Sequence, residues 1–306
     1  MIMNRQVSPA KLTAGVITLL CAASMLCRAQ SPYRPVPNNT WDKNVTLDTA
    51  FLRVSYRMTF RDALFYSTSE PGGLEDHVFT ENEILSDTRI VELGDRVRKD
   101  YSQILEAREI LNREMIERGE MPRNLGSSSV YPIELFISGD KCRINRRTLM
   151  TGPILQYESG STPMQWSLTG EAEQVGDYRC QKAVTTFGGR EWTAWFCPDI
   201  PVDGGPYKFR GLPGLILKVE DTGKHFSWTM TGIEKGSWPI YEKQYLFQKC
   251  SPKEAGKILK DMHLRPFVFL KNAGIRTLLP DGKGGAREPG DNEYSVAMYY
   301  DPIELE

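Results

Sequence analysis

The sequence predicts a mainly β (α+β) fold: one curved antiparallel sheet or half-barrel with two covering helices. Two observations carry this. From Tyr131 to Trp238 runs a series of short segments, YPIELFIS, CRINRRTLM, PILQYES, MQWSLTG, YRCQKAVTTF, EWTAWFC, LILKVED and HFSWTMTGI. They are rich in β-branched and aromatic residues and are separated by Gly, Asp, Ser or Pro, the pattern of a long antiparallel meander. Only two stretches show helical spacing.

The elements follow in order. In FLRVSYRMTF, the residues Phe51, Val54, Tyr56, Met58 and Phe60 mostly alternate with polar ones, a strand with one wet face. Glu70 to Asp76 reads as a turn or loop, and RIVELGDRV (89–97) as a strand or strand pair. DYSQILEAREILNREMIERGEMP places Tyr101, Ile104, Leu105, Arg108, Leu111 and Met115 at helical spacing. Asp100 is the expected cap, Gly119 suits the C-terminal end, and Pro122 stops the helix. A second helix, 252–263, opens on Ser251-Pro252-Lys253-Glu254, a capping box with Pro at the first helical position. Residues 281–292 form a Gly-rich, polar, flexible excursion.

The 306 residues carry a formal net charge of −1, with no basic stripe, so no nucleic-acid partner is expected. Arg5 and Lys11 precede an apolar run, Leu12 to Cys27, and Cys27-Arg28-Ala29 offers a cleavage site. Residues 1–29 therefore read as a secretory signal and 30–49 as a loose leader before one β domain, 50–306. A membrane anchor is the rival reading, but the run is short for a span. Leu before Cys21 and Cys27 disfavours lipidation. No later segment is apolar enough to span, so the mature chain is expected in the periplasm or attached to the outer membrane.

In an exported chain, disulfides are the first reading of Cys142, Cys180, Cys197 and Cys250. YRCQKAVTTFGGREWTAWFC has two strand-like arms around Gly188-Gly189, which supply the positive φ angles a two-residue hairpin needs. That turn sets Cys180 opposite Cys197 at a non-hydrogen-bonded position, suited to a bridge; a switchable thiol pair is the rival. Cys142 and Cys250 pair by elimination.

GPYKFRGLPGLIL, 205–217, has stiff corners at Gly205-Pro206 and Leu212-Pro213-Gly214-Leu215. The second has a type II signature, with Gly211 just before it and Gly214 expected at positive φ. One reading is a structural clamp with Leu212 and Leu215 buried. A second is a ligand or partner surface made by Tyr207, Lys208, Phe209, Arg210 and Leu212. A phosphate loop is disfavoured, because no Lys-Ser/Thr and no helix follow.

These residues carry a resemblance. GLPGLI, 211–216, is the hexapeptide of the GLPGLI family of exported Gram-negative envelope proteins, and the block CQKAVTTFGGREWTAWFCPDIPVDGGPYKFRGLPGLIL resembles the family's signature. Cys197 departs from it, where Thr is usual. VELGDRVRKDYS and the ending DPIELE resemble further family elements. The resemblance implies an envelope protein without established activity, often a companion of TonB-dependent outer-membrane transport. The strand order is also similar to that of bacterial lipoprotein-carrier (LolA-like) half-barrels, which implies an apolar or lipid ligand.

Enzyme chemistry finds little footing. His77, His225 and His263 are the three histidines; no HExxH or GxSxG pattern is present, and no metal or cofactor is expected. Asp199 and Asp203 read as turn caps, and Arg190 as a pin for the hairpin through a carboxylate. Trp166, Trp192, Trp195 and Trp228 read as sheet core or as the lining of an apolar groove. The expectation is a non-enzymatic protein that binds an apolar ligand or an outer-membrane transporter; an assembly partner without ligand and an unrecognised hydrolase are the alternatives.

Overall fold

A computed structural model of the chain describes residues 44–61, 66–67, 84–125, 128–149, 152–274, 276–290 and 296–305. The expected signal peptide with Cys21 and Cys27, most of the leader, the 70–76 loop and His77 lie outside these residues. The strands begin with β1 (Val45–Arg61), β2 (Tyr66–Ser67), β3 (Ile84–Gly94), β4 (Arg98–Ser102) and β5 (Ile133–Ser138). They continue with β6 (Lys141–Arg147), β7 (Ile154–Gly160), β8 (Ser167–Val175), β9 (Tyr178–Phe187) and β10 (Arg190–Cys197). Then follow β11 (Leu215–Asp221), β12 (Phe226–Glu242), β13 (Phe247–Lys249) and three two-residue strands, β14 (Leu279–Pro280), β15 (Ala286–Arg287) and β16 (Val296–Ala297). The helices are α1 (Gln103–Glu117), α2 (Pro252–Leu264) and α3 (Pro266–Asn272).

Twelve strands make one open sheet, in the order β13-β7-β6-β5-β4-β3-β1-β12-β11-β10-β9-β8. The expected single meander is two meanders, β3–β7 and β8–β12, with β1 inserted between them. The sheet is mixed rather than purely antiparallel, because β13 runs parallel to β7. Its curvature follows from chain length. β7 and β8 lie ten strand intervals apart in this order, roughly 48 Å in a flat sheet. Yet only residues 161–166 join them, a reach of about 25 Å. The sheet must curl, and it stops short of closing into a barrel.

The inner face is the apolar one. Leu52, Val54, Tyr56, Met58 and Phe60 of β1 are buried there with Val91, Leu135, Ile144, Trp192, Phe196, Val219 and Trp228. Phe51, expected in the core, is the extra residue of a bulge between Ala50 and Leu52 and turns outward, 43% exposed. β1 also begins at Val45, taking in the last residues assigned to the leader. Across the outer face, the end of β12 bends back over the sheet: Trp238 lies 4.5 Å from the Arg53 guanidinium, and Lys99 Nζ donates to the Tyr241 carbonyl at 3.0 Å.

The helices show what caps and spacing decide. α1 is capped by Ser102, whose hydroxyl accepts from Leu105 N at 3.3 Å, and not by Asp100, which belongs to β4. It ends as expected at Gly119, in a paired-bond C-terminal motif (Glu120 N to Met115 O, Gly119 N to Ile116 O). Its buried stripe is Leu105, Glu109, Asn112 and Met115; Leu111 is exposed. α2 carries the expected capping box at Ser251 and Glu254. α3 follows after one residue and makes three helices among the described residues, where two are expected. In the 281–292 excursion, Asp281 closes a small hairpin by accepting from Lys283 N and Gly285 N.

Gly188 and Gly189 have φ +56° and +74°, and the β9–β10 register is the expected one, Arg190 opposite Phe187 through Phe196 opposite Gln181. The second corner differs. Positive φ falls on Gly211, at +101°, not on Gly214. Gly214 is needed for another reason: a β-carbon there would collide with the Cys197 carbonyl where β11 leaves β10. Gly214→Ala is therefore expected to destabilise the fold by about 1–3 kcal/mol, read as a lower urea midpoint with an unchanged m-value.

Candidate functional site

Between its two proline corners, the YKFR segment turns into the sheet's concave face. Arg98 and Asp100 alternate onto the inner face of β4 and grip it. The Asp100 carboxylate accepts from Tyr207 N at 2.7 Å, while Arg98 donates to the Tyr207 carbonyl at 3.0 Å and the Phe209 carbonyl at 3.1 Å. Tyr207 sits at φ +52°, a costly conformation for a non-glycine residue that these bonds impose. Asp100 is held in turn by Arg89 of β3, through Nη2 at 2.6 Å and Nε at 2.9 Å. Arg89 also donates to the carbonyls of Tyr131 and Ile133 and faces Asp87, whose carboxyl burial raises in pKa.

The C-terminal tail lies beside this loop. Arg190, just past the Gly-Gly turn, pairs with Asp301 and donates to the carbonyls of Ile303 (3.1 Å) and Pro302 (2.9 Å). Asp221 stands 3.5 Å from the same guanidinium, and His225 Nδ1 meets Asp301 at 2.5 Å. Glu304 bonds the Tyr207 hydroxyl and the Lys208 ammonium, the latter at 2.5 Å. Burial first, then Glu304, hold the Tyr207 phenol protonated far above its ordinary range.

Loop, tail, α2 and the inner faces of β5–β7 line a half-open cavity of about 190 Å³. Phe60, Ile133, Ile144, Tyr157 and Leu259 give it apolar walls; Arg146, Ser159, Lys208 and Glu304 add polar groups. His263 on α2 lines it as a neutral imidazole: burial pushes it down to about 4, although its Nδ1–H donates to the Leu259 carbonyl at 2.6 Å. Among the described residues, no group of three or more His, Cys, Asp or Glu side chains gathers to hold a metal ion. No helix among them is long and apolar enough to cross a membrane.

Of the residues assigned to a ligand or partner surface, Tyr207, Lys208, Phe209 and Leu212 are buried and Arg210 is half-buried. Tyr207 and Lys208 line the cavity. Phe209 packs on Trp192 (ring centroids 4.7 Å apart) and Trp228 (5.7 Å) in a filled aromatic cluster. Trp195 alternates away from Trp192 and sits under Lys218 Nζ at 4.0 Å. Pro206 closes its corner by accepting from Phe209 N, and Gly205 packs on Ile216. Ile144, Arg146, Tyr157, Ser159 and His263 were not singled out for this cavity from sequence; the alternation in β6 and β7 is the signal that marks the first four as one face.

Cys180 and Cys197 are opposed and in contact, as the hairpin register requires, and no disulfide joins them in this structure; burial, then Cys197, pushes the Cys180 thiol up to about 12. Cys142 and Cys250 are not joined either, and they belong to different apolar clusters, one inside the sheet and one under α2.

Two outcomes follow from this geometry. Removing one member of a buried ion pair costs about 3–5 kcal/mol, so Asp301→Ala is expected to lose stability near the lower end of that range, since Asp221 still faces Arg190. Chemical denaturation checks the loss, and limited proteolysis checks release of the tail. His263 has a folded-state value near 4 against about 6.5 in an unfolded chain, so the unfolded chain binds the extra proton between them. Stability therefore falls by on the order of 3 kcal/mol as pH drops through that window. His263→Phe, which cannot titrate, is expected to flatten this part of a urea-midpoint-against-pH profile.

A family model described as a protein of unknown function (Porph_ging) matches residues 189–218, which run from the second glycine of the hairpin turn through β10, the loop and the hexapeptide. No curated protein matches the chain. Among solved structures it is similar to the structure of PNGF-II in the P21 space group, at 13% identity and TM-score 0.43, over 69% of this chain and 33% of that one. The structure of PNGF-II in the C2 space group matches at 14% identity and TM-score 0.38, over 65% and 31%. The chain thus spans about a third of the length of the structures it matches, and what the comparisons establish is a match to a family of unknown function over the segment that builds the loop.

Proposed function

We propose that the chain is a non-enzymatic binding protein of the cell envelope, which holds a small amphipathic molecule in the cavity behind its C-terminal tail. The cavity is the observation that carries this reading: an apolar chamber with a few convergent polar groups, walled by a loop and a tail that buried ion pairs hold in place. Its size sets the class of ligand. An apolar cavity of about 150 Å³ takes up benzene. At about 190 Å³ this half-open one suits a ligand whose buried part is one ring or a short chain.

Export to the periplasm or outer membrane belongs to the same proposal and rests on the N-terminal residues Arg5 to Ala29. Membership in the GLPGLI family rests on the hexapeptide at 211–216, inside the segment matched by the unknown-function family. Docking to an outer-membrane transporter through residues 205–215 has less support, because Tyr207, Lys208, Phe209 and Leu212 are turned inward.

Native mass spectrometry of protein taken gently from its own envelope fraction tests the reading. The expected result is a small-molecule adduct, far lighter than a diacyl lipid, that organic extraction removes. A bare processed chain both before and after extraction would sink it. The same spectrum reads the signal cleavage site and, at two hydrogens per bridge, whether Cys180 and Cys197 are joined in the envelope.

A further inference from the structure

We infer that the buried end of the ligand is a phenolic ring, whose hydroxyl donates to Nε2 of His263. This rests on the binding reading above and names its ligand class.

An open acceptor in the wall points this way. His263 lies near the end of α2 and lines the cavity. Its Nδ1 meets the Leu259 carbonyl at 2.6 Å. A carbonyl oxygen can only accept, so Nδ1 carries the ring proton and Nε2 keeps a lone pair. Burial pushes the imidazole down to about 4, so that lone pair persists at neutral pH. Nε2 has no hydrogen-bond partner among the described residues. An acceptor left unmatched in a buried position is costly, and a ligand that donates to it gains correspondingly. A hydroxyl has a proton to give it at neutral pH; an ionised carboxylate has none.

A second unmatched group stands on β7, the strand against which α2 packs. Ser159 shares the inner face of β7 with Tyr157, two residues before it. The buried Ser159 Oγ has no hydrogen-bond partner among the described residues. A serine hydroxyl both donates and accepts. A lone acceptor and a hydroxyl in one cavity suit a ligand group that donates and accepts, as a phenol does and an ether does not.

The walls select the ring. Phe60, Tyr131, Tyr157, Tyr207, Tyr299 and Tyr300 line the cavity. Tyr131 meets Phe60 edge to face at 5.2 Å, and the Tyr300 ring stands 4.9 Å from the His263 imidazole. Such surroundings favour a flat aromatic ring over an aliphatic body of the same size, because ring-on-ring contacts add to burial. Gly256, inside α2, leaves the room: it lines the cavity, and a β-carbon there would meet nothing within 4 Å.

The experiment uses the dialysed full chain and three probes, titrated by calorimetry and by saturation-transfer NMR. They are phenol, its methyl ether anisole, which keeps the ring and loses the donor, and cyclohexanol, which keeps the hydroxyl and loses the aromatic ring. Phenol is expected to bind at least about fivefold more tightly than either, the worth of one hydrogen bond to a buried acceptor. His263→Phe keeps a flat ring and removes the acceptor; it is expected to bring phenol down to the affinity of anisole and leave anisole unmoved. Ser159→Ala is expected to weaken phenol and leave cyclohexanol below it. Gly256→Leu, which fills the space with a better helix former, is expected to abolish binding of all three while the thermal midpoint holds or rises. Equal binding of phenol and anisole, or a His263→Phe variant that keeps their ratio, overturns the donor inference and leaves the cavity reading standing. Cyclohexanol binding as tightly as phenol overturns the aromatic part in the same way. Binding of all three that Gly256→Leu leaves unchanged lies outside the cavity, and both readings fall. If no probe binds, this inference falls, and the cavity reading still answers to the native mass spectrum.

Discussion

The Asp100 carboxylate is the constraint on which the interior depends. One oxygen takes the two Arg89 donors and the other takes the Tyr207 amide. It therefore joins the middle of the sheet to a loop some hundred residues further along the chain. With Arg98 on the Tyr207 and Phe209 carbonyls, it satisfies a backbone that would otherwise sit in an apolar chamber with its polar groups unmatched. Buried ionic groups of this kind do not by themselves stabilise a protein, because desolvation offsets their attraction. Their effect is to fix position. Stability comes from what the fixed loop then buries, above all Phe209 against Trp192 and Trp228. Full burial of such a side chain contributes about 1.5–3 kcal/mol.

Position passes from the loop to the tail. Once Tyr207 and Lys208 are placed, Glu304 has a phenol and an ammonium to meet, and Arg190 has Asp301 and two carbonyls. The hairpin turn takes part: Leu305 N donates to Gly188 O at 2.8 Å, and a β-carbon on Gly188 would strike Glu304. Residues 180–217 and 301–305 thus largely form one contact set. Through Tyr207, Lys208 and residues 301–304 they supply one wall of the cavity.

The sheet's curl and its openness have one cause. Six residues join its two meanders, too few for a flat sheet, and the space that a closed barrel would fill with strand side chains is filled by the loop and the tail. Trp166 Nε1 and Met164 N, in and beside that connection, both donate to the Arg210 carbonyl, which fastens the joining segment to the loop. A barrel that closed would have no room for them.

Much of this was legible in the sequence. Alternation located the strands of both meanders, because an inner apolar face and an outer polar face impose period two whatever the topology. The capping box at Ser251 and the Gly188-Gly189 turn were readable because their bonds are local. What sequence could not decide was which distant groups meet. Asp100 looked like a helix cap because its fitness for that role is local, while its real partners, Arg89 and Tyr207, are brought to it by strand pairing and loop insertion. For the 205–217 stretch a buried clamp and a YKFR surface were both readable; only the tertiary structure supplies the Glu304 that lets Lys208 be buried. The cavity was invisible for the same reason. Its walls come from β1, β5, β6, β7, α2, the loop and the tail, and no spacing along the chain encodes a volume that exists only once all of them have closed around it.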